Sequence, residues 1–217
     1  AGISMDASLF VNVTAPAGCG NSFNVTLQPG ARFGVEITPV CPAQLPQTTC
    51  AGTGRPIQGT QVYEYTGIIT LPAQCDMWTI SWTTCCRNGN ITNGVANSMY
   101  IETRINNTNG ICNNSARFTA LPTPYICAGQ QFSFNHGAID VDGDTLIYNM
   151  ISPMETSNTT FYTFTGGATA AQPFFTTPAA GMVFSNNTGQ MTFTPSGPQT
   201  SVAAVRVYEI RNGDTIG

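Results

Sequence analysis

The sequence predicts an all-β protein built as two tandem antiparallel β-sandwich domains. Three observations predict it. Apolar and polar residues alternate with period two along many short segments, as in strands with one buried and one wetted face. The composition holds 31 Thr, 18 Asn, 22 Gly and 14 Pro but no Lys. Thr favours strands, whereas Asn, Gly and Pro favour turns. No segment carries a sustained helical stripe.

The alternation locates the strands in order. Leu9, Val11 and Val13 alternate with Ser8, Asn12 and Thr14; Phe23, Val25 and Leu27 with Ser22, Asn24 and Thr26. Phe33, Val35 and Ile37 follow, then Trp78, Ile80 and Trp82, then Met99, Ile101 and Ile105. Further strands are expected over 61–71, 117–121, 130–135, 145–151, 160–165, 181–185, 190–194 and 201–210. About thirteen strands are too many for one seven-stranded sandwich and suit two. The polar stretch Asn106-Asn107-Thr108-Asn109-Gly110 separates a domain of residues 1–110 from one of 111–217.

Only 8% of the residues are charged, against about 25% in an ordinary soluble domain. Seven Arg and eleven acidic residues give a net charge of −4. Nucleic acid needs a basic surface that this chain lacks, and an anionic membrane surface is excluded for the same reason. Membrane insertion is not expected either, since no apolar run is long enough to span a bilayer. Disorder is disfavoured, because 41% of the residues are hydrophobic and 10% aromatic. No charged-then-apolar leader precedes Ala1, so an export signal is expected to have been removed or to lie outside this stretch.

Eight cysteines are present, with no CxxC spacing and a single His. That pattern suits no zinc site. The even count reads as four disulfides formed in an oxidising, extracellular compartment. Cys19, Cys41, Cys50, Cys75, Cys85, Cys86, Cys112 and Cys127 are all expected in bridges. Connectivity does not follow from spacing; the working pairs are Cys41 with Cys50, Cys75 with Cys85 or Cys86, and Cys112 with Cys127. The neighbours Cys85 and Cys86 are expected to take separate partners.

The sharpest chemical signal is Asp140-Val141-Asp142-Gly143-Asp144. Three carboxylates at alternate positions around a Gly turn repel one another. A hard cation relieves that repulsion, and Ca²⁺ takes six to eight oxygens. Asp140, Asp142 and Asp144 are therefore candidate calcium ligands. An EF-hand is excluded, since Ile151 stands where the bidentate Glu would be. The plain alternative is a solvated Asp-rich turn.

These residues carry a resemblance. Asn113-Asn114-Ser115-Ala116-Arg117-Phe118 resembles the linker of cadherin-type repeats. Asp140 to Tyr148 resembles the Asp-x-Asp-Gly-Asp-Ser-Leu-x-Tyr segment of bacterial cadherin-like and related Ig-like repeats. Thr188-Gly189-Gln190 through Pro195 resembles their late hairpin. Leu71 to Cys75, Trp78 to Trp82, Cys85 to Asn88, Ile91 to Asn93 and Asn135 to Ala138 together look like one recurring unit of large secreted Bacteroidetes surface proteins. Such chains are of the gliding-motility-associated, type IX secretion cargo type. The likeness covers roughly residues 60–217 and weakens toward the N-terminus. It implies Ig/cadherin-like sandwiches in a stalk, adhesin or fibre, with Ca²⁺ stiffening the junction and Asn113 or Asn114 reaching across to the aspartates. Two departures stand out: the repeat often has a second Cys near Ser133, and it runs on with another strand past Thr215-Ile216-Gly217. The open edge expected there would be filled by a strand outside this sequence or by one donated from another subunit, the former being the preferred reading.

Weaker signals remain. Asn12 and Asn24 open Asn-x-Thr triplets on the expected wet face, as a glycan requires. Asp144-Thr145-Leu146 and Asp214-Thr215-Ile216 resemble a short O-glycosylation signal, which makes Thr145 and Thr215 candidates. His136 reads as a structural hydrogen-bonder, Trp78 and Trp82 as a core pair, and Glu64 and Glu102 as solvated carboxylates. No nucleophile sits in a catalytic setting, so no enzyme is expected. The expectation is an extracellular structural or adhesive subunit that meets other copies or repeats, glycans or cell surfaces. The alternative is a carbohydrate-binding module of a secreted enzyme.

Overall fold

The computed structural model of the protein describes residues 8–95, 97–108, 112–120, 125–179 and 181–217. The expected domain boundary at residue 110 lies outside the described residues. The named elements among the described residues are fifteen strands and a 3₁₀ turn, η1 (Pro42–Gln47). Every pairing between named strands is antiparallel.

The first half builds a five-stranded sheet in the order β5-β2-β1-β6-β7 from β1 (Leu9–Thr14), β2 (Phe23–Pro29), β5 (Tyr65–Thr66), β6 (Trp78–Thr84) and β7 (Met99–Ile105). A short ribbon joins β3 (Val35–Glu36) to β4 (Gln61–Val62). Period two sets the faces: Val11 and Val13 are buried, whereas Asn12 and Thr14 are exposed. Val13, Cys75 and Trp78 form the centre of a core on which Phe23, Val25, Leu71 and Ile80 pack. Trp78 is fully buried and donates its indole N–H to the Ala73 carbonyl at 3.3 Å.

The second half holds a sheet β11-β14-β15 of β11 (Thr145–Ile151), β14 (Ala204–Arg211) and β15 (Asp214–Thr215). A second sheet, β12-β13-β9, joins β12 (Val183–Phe184), β13 (Gln190–Phe193) and β9 (Phe132–Asn135). A two-stranded ribbon pairs β8 (Arg117–Phe118) with β10 (Ala138–Ile139). Met150 of β11 packs on the Met182, Met191 and Phe193 cluster, so the two sheets share an apolar layer. Residues 160–165, expected as a strand, form only isolated bridges from Phe161 to Met154 and from Phe164 to Gly94.

The cysteines depart from expectation. Cys19 bonds Cys75, and Cys85 bonds its neighbour Cys86. Thr14 at the end of β1 pairs with Thr79 near the start of β6, so the chain segments beyond these ends, with Cys19 and Cys75, meet at one end of the sheet. This overturns the bridge from Cys75 to Cys85 or Cys86, and the separate partners for the vicinal pair. Cys41, Cys50, Cys112 and Cys127 are free thiols, so the bridges 41–50 and 112–127 are not formed. Cys50 packs instead on Gly59, where a Cβ would collide with its sulfur. Burial, then the charge of Glu36, pushes the Cys50 thiol up from its ordinary pKa and holds it protonated.

Asn93 ties the two halves. It is fully buried; its Nδ2 donates to the carbonyls of Pro173 (2.9 Å) and Val202 (2.8 Å). Its Oδ1 accepts from Tyr162 Oη (3.1 Å) and the Val202 N–H (3.0 Å). Nearby, Arg87 Nη2 donates to the Met154 carbonyl at 2.8 Å.

Two outcomes follow. Asn93→Ala strips partners from two buried and two half-buried groups and is expected to cost about 3–5 kcal/mol in a urea melt, since each orphaned buried group costs about 1–3 kcal/mol. Hydrogen bonds from Thr48, then Thr38 and Cys50, hold the Glu36 carboxyl below its ordinary range. A depressed carboxyl contributes stability above its unfolded pKa and loses it as pH falls through the folded value. Between pH 6 and pH 3 the melting temperature of the native chain should therefore fall further than that of Glu36→Gln.

Candidate metal centre

The loop from β10 to β11 carries the three aspartates. Gly143 takes a positive φ of 82°, a conformation costly to residues with a Cβ, and this lets the chain turn tightly between Asp142 and Asp144. Asp140 Oδ1 accepts the N–H groups of Asp142 (2.9 Å) and Asp144 (3.1 Å). Its other oxygen, Oδ2, is buried without a partner. One carboxylate oxygen from each aspartate lies within 4.8 Å of the others.

The segment before β8 closes over this loop. Asn114 donates its N–H to Asp142 Oδ2 at 2.6 Å and its Nδ2 to Oδ1 at 3.0 Å. Those bonds from Asn114, and then Arg211, hold the Asp142 carboxyl below the usual carboxylate range. Asn113 lies one step away: its Nδ2 donates to Glu209 Oε2 at 2.5 Å and its Oδ1 accepts from Arg211 Nη2 at 3.0 Å. The structure thus brings Asp140, Asp142, Asp144, Asn113 and Asn114 into one cluster.

Two further residues belong to it. Arg211 grips Asp144 through Nε (2.6 Å) and Nη2 (2.8 Å), reaches the Cys112 carbonyl (3.1 Å) and stands 3.4 Å from Asp142 Oδ2. Asp144 is only 3% exposed at its side chain, whereas Arg211 is 28% exposed, so the carboxylate end of this two-pronged pair is the shielded one. The bond to Asp144 strengthens the charged form of Arg211. Glu209, also buried, accepts from the Ala116 N–H and from Asn113. Sequence reasoning missed both. Their signal was present as two ionic residues at alternate positions of an otherwise apolar strand end, just before the turn at Asn212-Gly213.

No family model, curated protein or solved structure matches the chain. The reading of the site therefore rests on its chemistry. Around the loop, three aspartates face one guanidinium, a local excess of negative charge. All the donors are hard oxygens, the type calcium selects. Asp140 Oδ2, buried and unpartnered, is an atom that a cation would satisfy.

Other expected sites fall as follows. Asn12 and Asn24 are exposed and lie directly opposite each other on β1 and β2. Thr145 and Thr215 are exposed and both pair with Ile210, on its two sides. His136 donates through Nδ1 to the Gly189 carbonyl at 3.0 Å and packs edge-on against Phe134. Trp78 is buried beyond the reach of any sugar. Glu102, expected in solvent, has a side chain only 2% exposed, bridged to Arg104 (3.0 Å) and Arg206 (3.2 Å).

Removing Arg211 leaves Asp144 shielded and unpaired. Arg211→Met is expected to lower the denaturation midpoint of the metal-free protein, because the shielded Asp144 carboxylate loses its partner.

Proposed function

We propose that this chain is a non-catalytic structural or adhesive module of an extracellular surface protein, built of Ig/cadherin-like sandwiches and clamped by Ca²⁺ near the join of its halves. The observation that carries the reading is the convergence of Asp140, Asp142 and Asp144 with Asn113 and Asn114, which come from the segment joining the two halves. A cation held there would tie that segment to the β10–β11 loop and so limit bending. Asp140, Asp142 and Asp144 would supply carboxylate oxygens, with Asn113 able to add an amide oxygen. The two disulfides are compatible with an oxidising compartment. No helix among the described residues is long and apolar enough to cross a membrane. The sparse charge and the exposed Asn12, Asn24, Thr145 and Thr215 suit a glycan-bearing surface that contacts other copies, repeats or cell surfaces.

Calorimetric titration with calcium, followed by thermal melts in calcium and in chelator, tests the reading. Saturating calcium should raise the melting temperature, by mass action on the folded state. Asp142→Asn should remove most of that rise. Arg211→Met should tighten calcium binding several-fold, because a competing cation leaves the cluster. Identical melts with and without calcium would sink the assignment.

A further inference from the structure

The two disulfides stand in opposite surroundings. Cys75 is only 5% exposed and forms a core cluster with Val13 and Trp78, on which Cys19 packs. Cys85 and Cys86 are both exposed, just past the end of β6. Thiol–disulfide exchange needs a thiolate to reach a sulfur, so access decides which bridge is attacked first.

The exposed bridge lies inside a clasp between the halves. Before it, Thr83 donates its hydroxyl to the Glu155 carbonyl at 3.5 Å. After it, Arg87 donates Nη2 to the Met154 carbonyl at 2.8 Å and lies over the Tyr162 ring, 5.6 Å from its centre. Two main-chain bonds complete the clasp. The Arg87 N–H donates to the Asn97 carbonyl at 2.8 Å, and the Tyr100 N–H to the Met154 carbonyl at 3.2 Å. Thr83 and Arg87 therefore grip neighbouring residues of the second half, and the bridged pair is the chain between them.

This clasp is closed against a cost. Arg87 Nε, a donor, and Glu155 Oε1, an acceptor, are both buried without a partner. Burial also pulls the Arg87 guanidinium below its ordinary pKa, against the charge of Glu155. Polar groups buried without partners are costly, and water would satisfy both if the clasp opened. A covalent link between Cys85 and Cys86 opposes that opening, because it removes conformations that a free backbone would sample between Thr83 and Arg87.

We propose that Cys85–Cys86 is a redox latch on the joint between the halves. Bonded, it holds Thr83 and Arg87 on Glu155 and Met154; reduced, it lets the clasp open to water. The reductant is a dithiol. One of its thiolates attacks a sulfur of the pair, the Cys85–Cys86 bond breaks, and the expelled thiolate takes up a proton. The second thiolate of the reductant then attacks the mixed disulfide and frees the other cysteine, which is protonated in turn. Two electrons and two protons pass to the protein, and the dithiol leaves as a disulfide. Closing is the reverse exchange, with a disulfide as oxidant. The joint is thus pliable in a reducing compartment and stiff in an oxidising one. This goes beyond the reading of the chain as a structural module and requires no metal at the aspartates.

The test uses the full chain in chelator, so that failure of the calcium clamp leaves its outcome untouched. The free thiols Cys41, Cys50, Cys112 and Cys127 are blocked first. Graded dithiothreitol follows, and new thiols are tagged and located by peptide mass spectrometry. Cys85 and Cys86 should be tagged at reductant levels that leave Cys19 and Cys75 bonded. In an untagged sample at that level, hydrogen exchange at the Arg87 and Tyr100 amides should quicken roughly tenfold or more, while β1 and β2 keep their protection. Glutathione disulfide should restore slow exchange. The double variant Cys85→Ser, Cys86→Ser should exchange fast at these amides without reductant and ignore its addition. Three results overturn the proposal: Cys19–Cys75 opening first, the vicinal pair opening with exchange at Arg87 and Tyr100 unchanged, or protection lost throughout the molecule at once. Should the double variant not fold, the reduction and reoxidation of the native chain decide the matter alone.

Discussion

The guanidinium of Arg211 is the contact on which the candidate site depends. From the end of β14 it holds Asp144 of the β10–β11 loop, the side chain of Asn113 and the carbonyl of Cys112. Three segments distant in sequence are thereby drawn to one point. Glu209, two residues earlier on the same strand, fastens Asn113 and Ala116. The aspartate loop could form its own turn without them, because Asp140 already caps the N–H groups of Asp142 and Asp144. Closure of the linking segment over that loop, begun by Asn114 on Asp142, is reinforced by the two ionic residues of β14. Arg211 also partly neutralises the cluster in the absence of a metal, which makes it both a structural partner of the site and a competitor for any cation.

A chain with so few charges relies on other cohesion. Its apolar clusters are modest, one centred on Trp78 and one on Met191 and Phe193. Between them the halves are joined by polar groups, above all Asn93, whose amide is fully satisfied. Buried polar hubs of this kind specify one arrangement sharply, since any displacement leaves several groups unpaired at once. Glu102 acts similarly, with two arginines and the Tyr100 hydroxyl around its carboxylate. Its Arg206 partner bridges β14 to β7, strands of different sheets.

These features suit a mechanical role. The join between the halves is hydrogen-bonded, and the aspartate cluster lies at its margin.

Period two made most strands legible: β1, β2, β6, β7, β11, β13 and β14 lie where alternation placed them, because alternation is a local property of the chain. The aspartate loop was legible for the same reason, its residues being neighbours. The 61–71 segment was not, as it breaks into β4 and β5, which pair with different strands. Cysteine pairing was not legible either. Cys19 meets Cys75 across 56 positions only because β1 lies beside β6. The roles of Glu209 and Arg211 likewise depend on β14 lying beside β11 and close to the linking segment. By itself, then, the sequence determined the class of fold and the acidic turn, through spacing and composition over a few residues. Tertiary structure decided which sulfurs bond and which charges surround the turn, because those depend on how distant strands are ordered in space.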